Sequence, residues 1–408
     1  MGENLEFRKG TVRIQLMDKS GRPLAHHRIQ AVQKKHSFLF GCNAFDAVPL
    51  CAPDTDPVRR AVLEERMEMW LKLFNFATLP FYWGRYEPER GKPHQEELMA
   101  AARFLKDRGV KIKGHPLCWH TVTAPWLLEL SNQEILEAQL DRIRRDVTAF
   151  RGIVDAWDVI NEAVIMPAFD KYDNGITRIC KEMGRIPLIR KVFEEAGKAS
   201  PDAVFLINDF NTTWAYEILI EGCLEAGIPL KVIGIQSHQH QGYWGKDKLL
   251  EILERFSRFG LPIHFTENTL ISGHLMPPEI EDLNDYQVAE WPTTPEGEER
   301  QAKETLEMYS ILFSHPMVQA VTTWDFDDDN KWLGAPCGLV RKDNSPKPVY
   351  HELDRKINEE WKTRKELVTD ENGVAELHGF HGEYQLRWNQ LEKKIEVGHT
   401  PSEFVWKV

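Results

Sequence analysis

With 408 residues, the chain is too long for one small core and long enough for a large α/β domain carrying appendages. Its 42% apolar and 28% charged residues exclude the disordered and fibrous classes. A net charge of −12 argues against nucleic acid or an anionic membrane as partner and suits a neutral substrate such as a sugar chain.

The first 35 residues alternate in the manner of strands. Val12, Ile14 and Leu16 share one face, Asp18-Lys19-Ser20-Gly21 makes a turn, and a second strand follows near Ile29 to Val32. A lone hairpin of this kind is not stable. The far end of the chain offers it partners: a turn at Asp370 to Gly373, alternation at Tyr384, Leu386 and Trp388, and again at Phe404, Trp406 and Val408. The expectation is a small β-sandwich built from residues 1–35 and 362–408, with Trp388 or Trp406 as core or as a sugar-stacking platform.

From residue 36 to 361 the pattern changes to apolar runs separated by helical stretches. Predicted strands are Phe38 to Asn43, Asn75 to Phe81, Ile112 to Trp119, Asp155 to Glu162, Ala203 to Phe210, Val232 to His238, Pro262 to Asn268 and Ala320 to Phe326. Helical patterns lie between them, several opening on Pro or a capping residue and closing on Gly109, Gly227 or Gly260. Eight such alternations predict an α/β fold, a (β/α)8 TIM barrel, whose chemistry sits at the C-terminal ends of the strands. Two long inserts, residues 163–186 and 271–296, fall on that face and are expected to shape a cleft.

The predicted strand ends carry His115, Trp119 and His120; Asn161 and Glu162; Asn208, Asp209 and Asn211; Gln236, His238 and His240; Glu267; and Trp324 with Asp325, followed by Trp332. Amides and imidazoles suit sugar hydroxyls, and indole faces suit the apolar faces of pyranose rings. Glu162 and Glu267 end two buried strands, so they form the candidate pair of carboxyl groups for breaking a glycosidic bond. His238-Gln239-His240, with His115 and His120, also fits a zinc-binding alternative, although the carboxylate ligands such a site needs are less evident. The six cysteines have neither CxxC nor metal spacing and are expected to be reduced and mostly buried.

No run approaches the length of a membrane span, and the first residues lack the basic and apolar regions of a secretory signal. The expectation is a chain that stays in the cytoplasm or one secreted with its signal removed.

Taken in order, His115-Pro116-Leu117-Cys118-Trp119-His120, Trp157-Asp158-Val159-Ile160-Asn161-Glu162-Ala163, Asn208-Asp209-Phe210-Asn211, Gly234-Ile235-Gln236-Ser237-His238, Thr266-Glu267, and Trp324 with Trp332 resemble glycoside hydrolase family 10, the β-1,4-xylanase family. Lys347-Pro348 followed by Tyr350 is similar to its closing motif, and the likeness runs from about Phe38 to Leu353. The resemblance implies a retaining enzyme acting on a polysaccharide or oligosaccharide, with no cofactor. It casts Glu162 as general acid/base, Glu267 as nucleophile, Asn161 as the partner of the sugar 2-hydroxyl, and His238 as a hydrogen-bond partner of the nucleophile. His115, Trp119, His120, Gln236, Trp324 and Trp332 would line the donor side of the cleft.

Other positions depart from the family pattern. Where xylanases carry a Glu-Asn pair and a Lys after the second strand, this chain has Thr78, Leu79 and Tyr82. Tyr82 is therefore expected to meet substrate as an aromatic surface. The Gln after the Trp-His pair is Val122, and the Asp that braces the histidine partner of the nucleophile is Thr269. The reacting groups are retained while groups that read the sugar have changed. That pattern allows a substituted xylan, a short glycoside or another β-linked glycan as substrate.

Overall fold

The computed structural model describes residues 4–329 and 331–408. In chain order its strands are β1 (Lys9–Met17), β2 (Arg28–His36), β3 (Leu39–Asn43), β4 (Phe76–Pro80), β5 (Lys111–His115), β6 (Ala156–Asn161), β7 (Val204–Asp209), β8 (Val232–Gln239), β9 (Ile263–Leu270), β10 (Val318–Thr323), β11 (Arg364–Val368), β12 (Val374–Phe380), β13 (Gly382–Trp388), β14 (Leu391–Val397) and β15 (Ser402–Lys407). Strands β3 to β10 form a closed parallel barrel, with β10 returning to β3. Helices cover its outer face, so β6 and β9 are buried at every position, their polar residues included.

The helices begin where their capping chemistry places them. Asp56 accepts from the amides of Val58 and Arg59 at the start of Pro57–Leu73, and Ser131 with Glu134 closes a capping box on Asn132–Ala149.

Within the barrel, two stretches differ from expectation. The third strand stops at His115 rather than Trp119, because Pro116 has no amide hydrogen to continue the ladder. Leu117 and Cys118 then resume bonding to the carbonyls of Asp158 and Val159, which keeps Trp119 at the barrel mouth. The insert 163–186 contains a helix, Gly175–Met183, capped by the Asn174 side chain on the Thr177 amide.

The terminal segments interleave into a sandwich of two sheets, ordered β12-β1-β15 and β11-β2-β13-β14. The expected hairpin of β1 with β2 does not form; the two strands lie in opposite sheets. Val12, Ile14 and Leu16 of β1 share one apolar cluster with Ile29 and Ala31 of β2, so a hairpin would put both sets on one sheet face and lose that core. Trp406 is 1% exposed and belongs to this cluster, which rules it out as a platform. Trp388 is half-buried and meets His27 edge-on at 5.5 Å. Trp406→Ala is expected to destabilise the fold by about 3–5 kcal/mol, measurable by chemical denaturation.

The sandwich is fastened to the N-terminal face of the barrel. The Arg8 guanidinium donates to the carbonyls of Phe313 (2.9 Å), His315 (2.8 Å) and Val318 (2.6 Å), and Phe313 stacks on Trp361 at 4.2 Å. The opposite face of the barrel is left free. All six cysteines are free thiols, and among the described residues no helix is long and apolar enough to cross a membrane.

Candidate active site

The C-terminal ends of the barrel strands bring Glu162 and Glu267 into one hydrogen-bonded group. Glu162 directly follows β6 with φ at +57°, a conformation costing about 1–2 kcal/mol for a residue with a side chain. Its amide is bonded to the carbonyl of Asn208 at 2.8 Å, which holds that turn. Trp119 Nε1 donates to Glu162 Oε2 at 2.8 Å, and Gln236 Nε2 donates to Oε1 at 3.2 Å. Glu267 lies within β9, 4% exposed; its Oε1 accepts from Asn208 Nδ2 at 2.9 Å, and its Oε2 faces His238 Nε2 at 3.2 Å.

Three side-chain amides knit the carboxyl groups together. Asn161 Oδ1 accepts from both Asn208 Nδ2 (2.8 Å) and Gln236 Nε2 (3.0 Å). The chain Glu267, Asn208, Asn161, Gln236, Glu162 is thus continuous. Asn208 Oδ1 is in turn fixed by the Thr266 hydroxyl at 2.6 Å.

The two carboxyl groups are driven apart in acidity. Burial pushes Glu162 up to about 8, with the charges of Asp209 and Glu267 acting in the same direction against the bonds from Trp119 and Gln236. Burial would raise Glu267 too, but the adjacent His115, His238 and Lys113 outweigh it and hold this carboxyl below the usual range. One acid therefore keeps its proton at neutral pH and the other has lost it. Such a pair can protonate a leaving group and attack a carbon at the same centre.

A buried set of charges supports Glu267 from beneath. Lys113 Nζ and His115 Nδ1 each lie 2.7 Å from Asp158 Oδ2, and His115 Nε2 stands 3.8 Å from Glu267 Oε1. The carboxylate of Asp158 keeps the proton on Nδ1 of His115 and orients the ring. His238 is placed by Thr269, whose hydroxyl lies 2.5 Å from Nδ1. A hydroxyl can donate to or accept from this ring nitrogen and leaves Nε2 directed at Glu267, so Thr269 serves as an uncharged brace.

Aromatic rings wall the cleft on the side of β3 to β5. Tyr82 is half-buried, with ring centres 5.7 Å from Trp119, 5.6 Å from His115 and 6.0 Å from Phe45, and Phe45 meets Trp324 edge-on at 5.4 Å. Thr78 and Leu79 are fully buried and contribute no polar surface there. Trp332 packs on His238 at 4.9 Å and on His240 at 5.1 Å. His120 is 1% exposed and rests on Phe169 at 4.6 Å, so it supports the wall more than it faces solvent.

Sequence patterns alone do not single out Phe45, Lys113 or Asp158, nor the central place of Asn208. For Lys113 and Asp158 a signal existed: two opposite charges inside strands otherwise destined for the barrel interior require each other.

The model of the Glycosyl hydrolase family 10 matches residues 65–355. The chain is 32% identical over 308 residues to a β-1,4-xylanase of Dictyoglomus thermophilum, covering 69% of this chain and 82% of that protein. It is 25% identical over 391 residues to the anti-sigma-I factor RsgI6 of Acetivibrio thermocellus, covering 93% of this chain and 45% of that protein, a span that must enter the terminal sheets. Among solved structures, native xylanase 10B from Thermotoga maritima superposes with a TM-score of 0.62 at 25% identity, over 79% of this chain and 97% of that one. A closed barrel, two carboxyl groups of opposed acidity at its mouth and a family match across most of the barrel lead to one conclusion: the chain belongs to glycosyl hydrolase family 10 and is a glycoside hydrolase.

Proposed function

We propose that the protein hydrolyses β-1,4-linked xylan or its oligosaccharides with retention of configuration. Glu267 acts as nucleophile and Glu162 as general acid/base. The observation that carries this reading is the opposed displacement of the two carboxyl groups within one hydrogen-bonded network. The likeness to β-1,4-xylanases supports the choice of sugar.

In the first step a carboxylate oxygen of Glu267 bonds to the anomeric carbon as the bond to the leaving oxygen breaks. That oxygen takes the proton of Glu162. The glycosyl-enzyme has no charge on Glu267, so Glu162 loses part of what held its proton and ionises more readily. Water then attacks the same carbon, gives its proton to Glu162 and frees Glu267. For this route the two carboxyl groups must stand about 5 to 5.5 Å apart.

The remaining residues place the sugar. Asn161 Nδ2 is directed to the acid side, 3.3 Å from Glu162 Oε1, and is assigned to the 2-hydroxyl of the ring under attack. His238 and Gln236 hold the carboxylates in register. His115, Trp119, Trp324, Trp332 and Tyr82 contact the glycone, with His120 behind them.

Proton NMR of early xylo-oligosaccharide hydrolysis provides the test. The β-anomer should appear first and mutarotate afterwards. First appearance of the α-anomer would overturn the roles assigned to Glu162 and Glu267.

A further inference from the structure

In the eight-strand ring, β6 and β10 stand opposite one another. The loops that follow them nevertheless hold the same short stretch of chain. Lys171, after β6, pairs with Asp282 at 2.6 Å and Asp285 at 2.8 Å. Trp332, after β10, donates its Nε1 hydrogen to Asn284 at 3.1 Å. Residues 282–285 belong to the insert following β9, so this insert reaches between opposite sides of the barrel mouth.

It does not hang free. Gln241, in the loop after β8, donates to the carbonyls of Pro277 (2.9 Å) and Ile280 (2.8 Å), and the Met276 amide donates to the carbonyl of His240 at 2.9 Å. Ile280, Leu283 and Tyr286 pack on a small core of Ile271, Met276 and Trp291. The path encloses the mouth above β7 and β8, whose own loops are short. The half occupied by Phe45, Tyr82 and Trp119 stays outside it.

Glu162 directly follows β6, the strand whose loop carries Lys171. Tyr172, beside Lys171, meets the Phe169 ring at 4.8 Å, and Phe169 rests on His120 at 4.6 Å, next in the chain to Trp119, the donor to Glu162. The leaving group takes its proton from Glu162 and so departs toward the loop that carries Lys171 and the stretch tied to it.

We propose that residues 282–285, tied to Lys171 and Trp332, form a strap that closes the leaving-group side of the cleft and limits the enzyme to bonds near a reducing end. This rests on the roles proposed above for Glu162 and Glu267. The substrates are short β-1,4-linked oligosaccharides and chain termini, and mid-chain bonds of a polymer are cut poorly. Lys171 and Asp285 lie at the surface, and a reversed charge at 171 would face two carboxylates, so the Lys171 end of the strap should come loose without disturbing the barrel.

Xylohexaose, cellohexaose and mannohexaose, each carrying ¹⁸O at the reducing end, provide the substrates, with early products read by mass spectrometry. The native enzyme should release labelled mono- or disaccharide about fivefold or more over internal fragments. Lys171→Glu and the double variant Asp282→Ala with Asp285→Ala should each raise internal fragments about fivefold, with kcat/KM on 4-nitrophenyl β-xylobioside within about twofold of native. Internal cleavage by the native enzyme, or terminal release persisting in both variants, overturns the strap. Cleavage of cello- or mannohexaose but not xylohexaose overturns the choice of sugar, and the strap is then read from whichever hexaose is cut. No cleavage of any hexaose overturns both.

Discussion

Glu267→Ala is expected to lower kcat on oligosaccharides by on the order of 10⁴-fold or more, because the step that forms the covalent intermediate loses its nucleophile and the remaining groups act as a unit. The loss should exceed that from any other single change in the cleft. The variant leaves Asn208 Nδ2 and His238 Nε2 without their acceptor and opens a space beside the anomeric carbon. A small anion can occupy that space. Azide should therefore restore turnover of an aryl β-glycoside and yield the α-glycosyl azide, the product of a single displacement. In the native enzyme a 2-deoxy-2-fluoro glycoside with an activated leaving group should stop turnover and leave one mass adduct, located on Glu267 by peptide mapping. An adduct on another carboxylate, or full activity in the alanine variant, would remove Glu267 from the centre of the reaction.

Much of this arrangement is legible in the sequence because barrel strands are buried on both faces. A strand such as Val232–Gln239 needs apolar residues at successive positions, and polar residues cluster where it emerges at the mouth. What alternation cannot reveal is the partner of a strand. Val12, Ile14 and Leu16 mark an inward face without saying that β2 lies across the core rather than alongside β1. Tertiary partners are equally hidden for Asn208, whose side chain joins Asn161, Thr266 and Glu267 from three other positions in the chain. The long inserts could be recognised by length. Their connection through Lys171, Asp282 and Asp285 joins residues more than a hundred positions apart, and no local pattern encodes it. Thr269 is instructive in another way. Its identity reads as a lost acid, yet the hydroxyl still lies 2.5 Å from Nδ1 of His238, so the departure changes the charge of the brace and keeps its place.

Glu162→Ala should separate substrates by the quality of their leaving groups. General acid catalysis contributes about 10²–10⁴-fold where the departing oxygen is a poor leaving group, so kcat/KM on xylo-oligosaccharides should fall by that amount. A 2,4-dinitrophenyl glycoside needs no proton to depart, and its kcat/KM should fall by less than about tenfold. The intermediate then waits for water without a base; azide should speed its breakdown and give the β-glycosyl azide, opposite in configuration to the product from Glu267→Ala. The pH profile carries the same assignment. The acid must be protonated in the free enzyme, and its carboxyl is raised to about 8, so native kcat/KM on oligosaccharides should fall as pH rises through about 8. The nucleophile must be ionised, and Glu267 is held below the ordinary glutamate value, so the acidic limb should lie below that value. In Glu162→Ala the alkaline limb should disappear while the acidic one stays. If the alkaline limb survives unchanged, the proton comes from another group. The neighbouring Asp209, which burial raises to about 7, would then be the group to replace, because its charge already bears on Glu162.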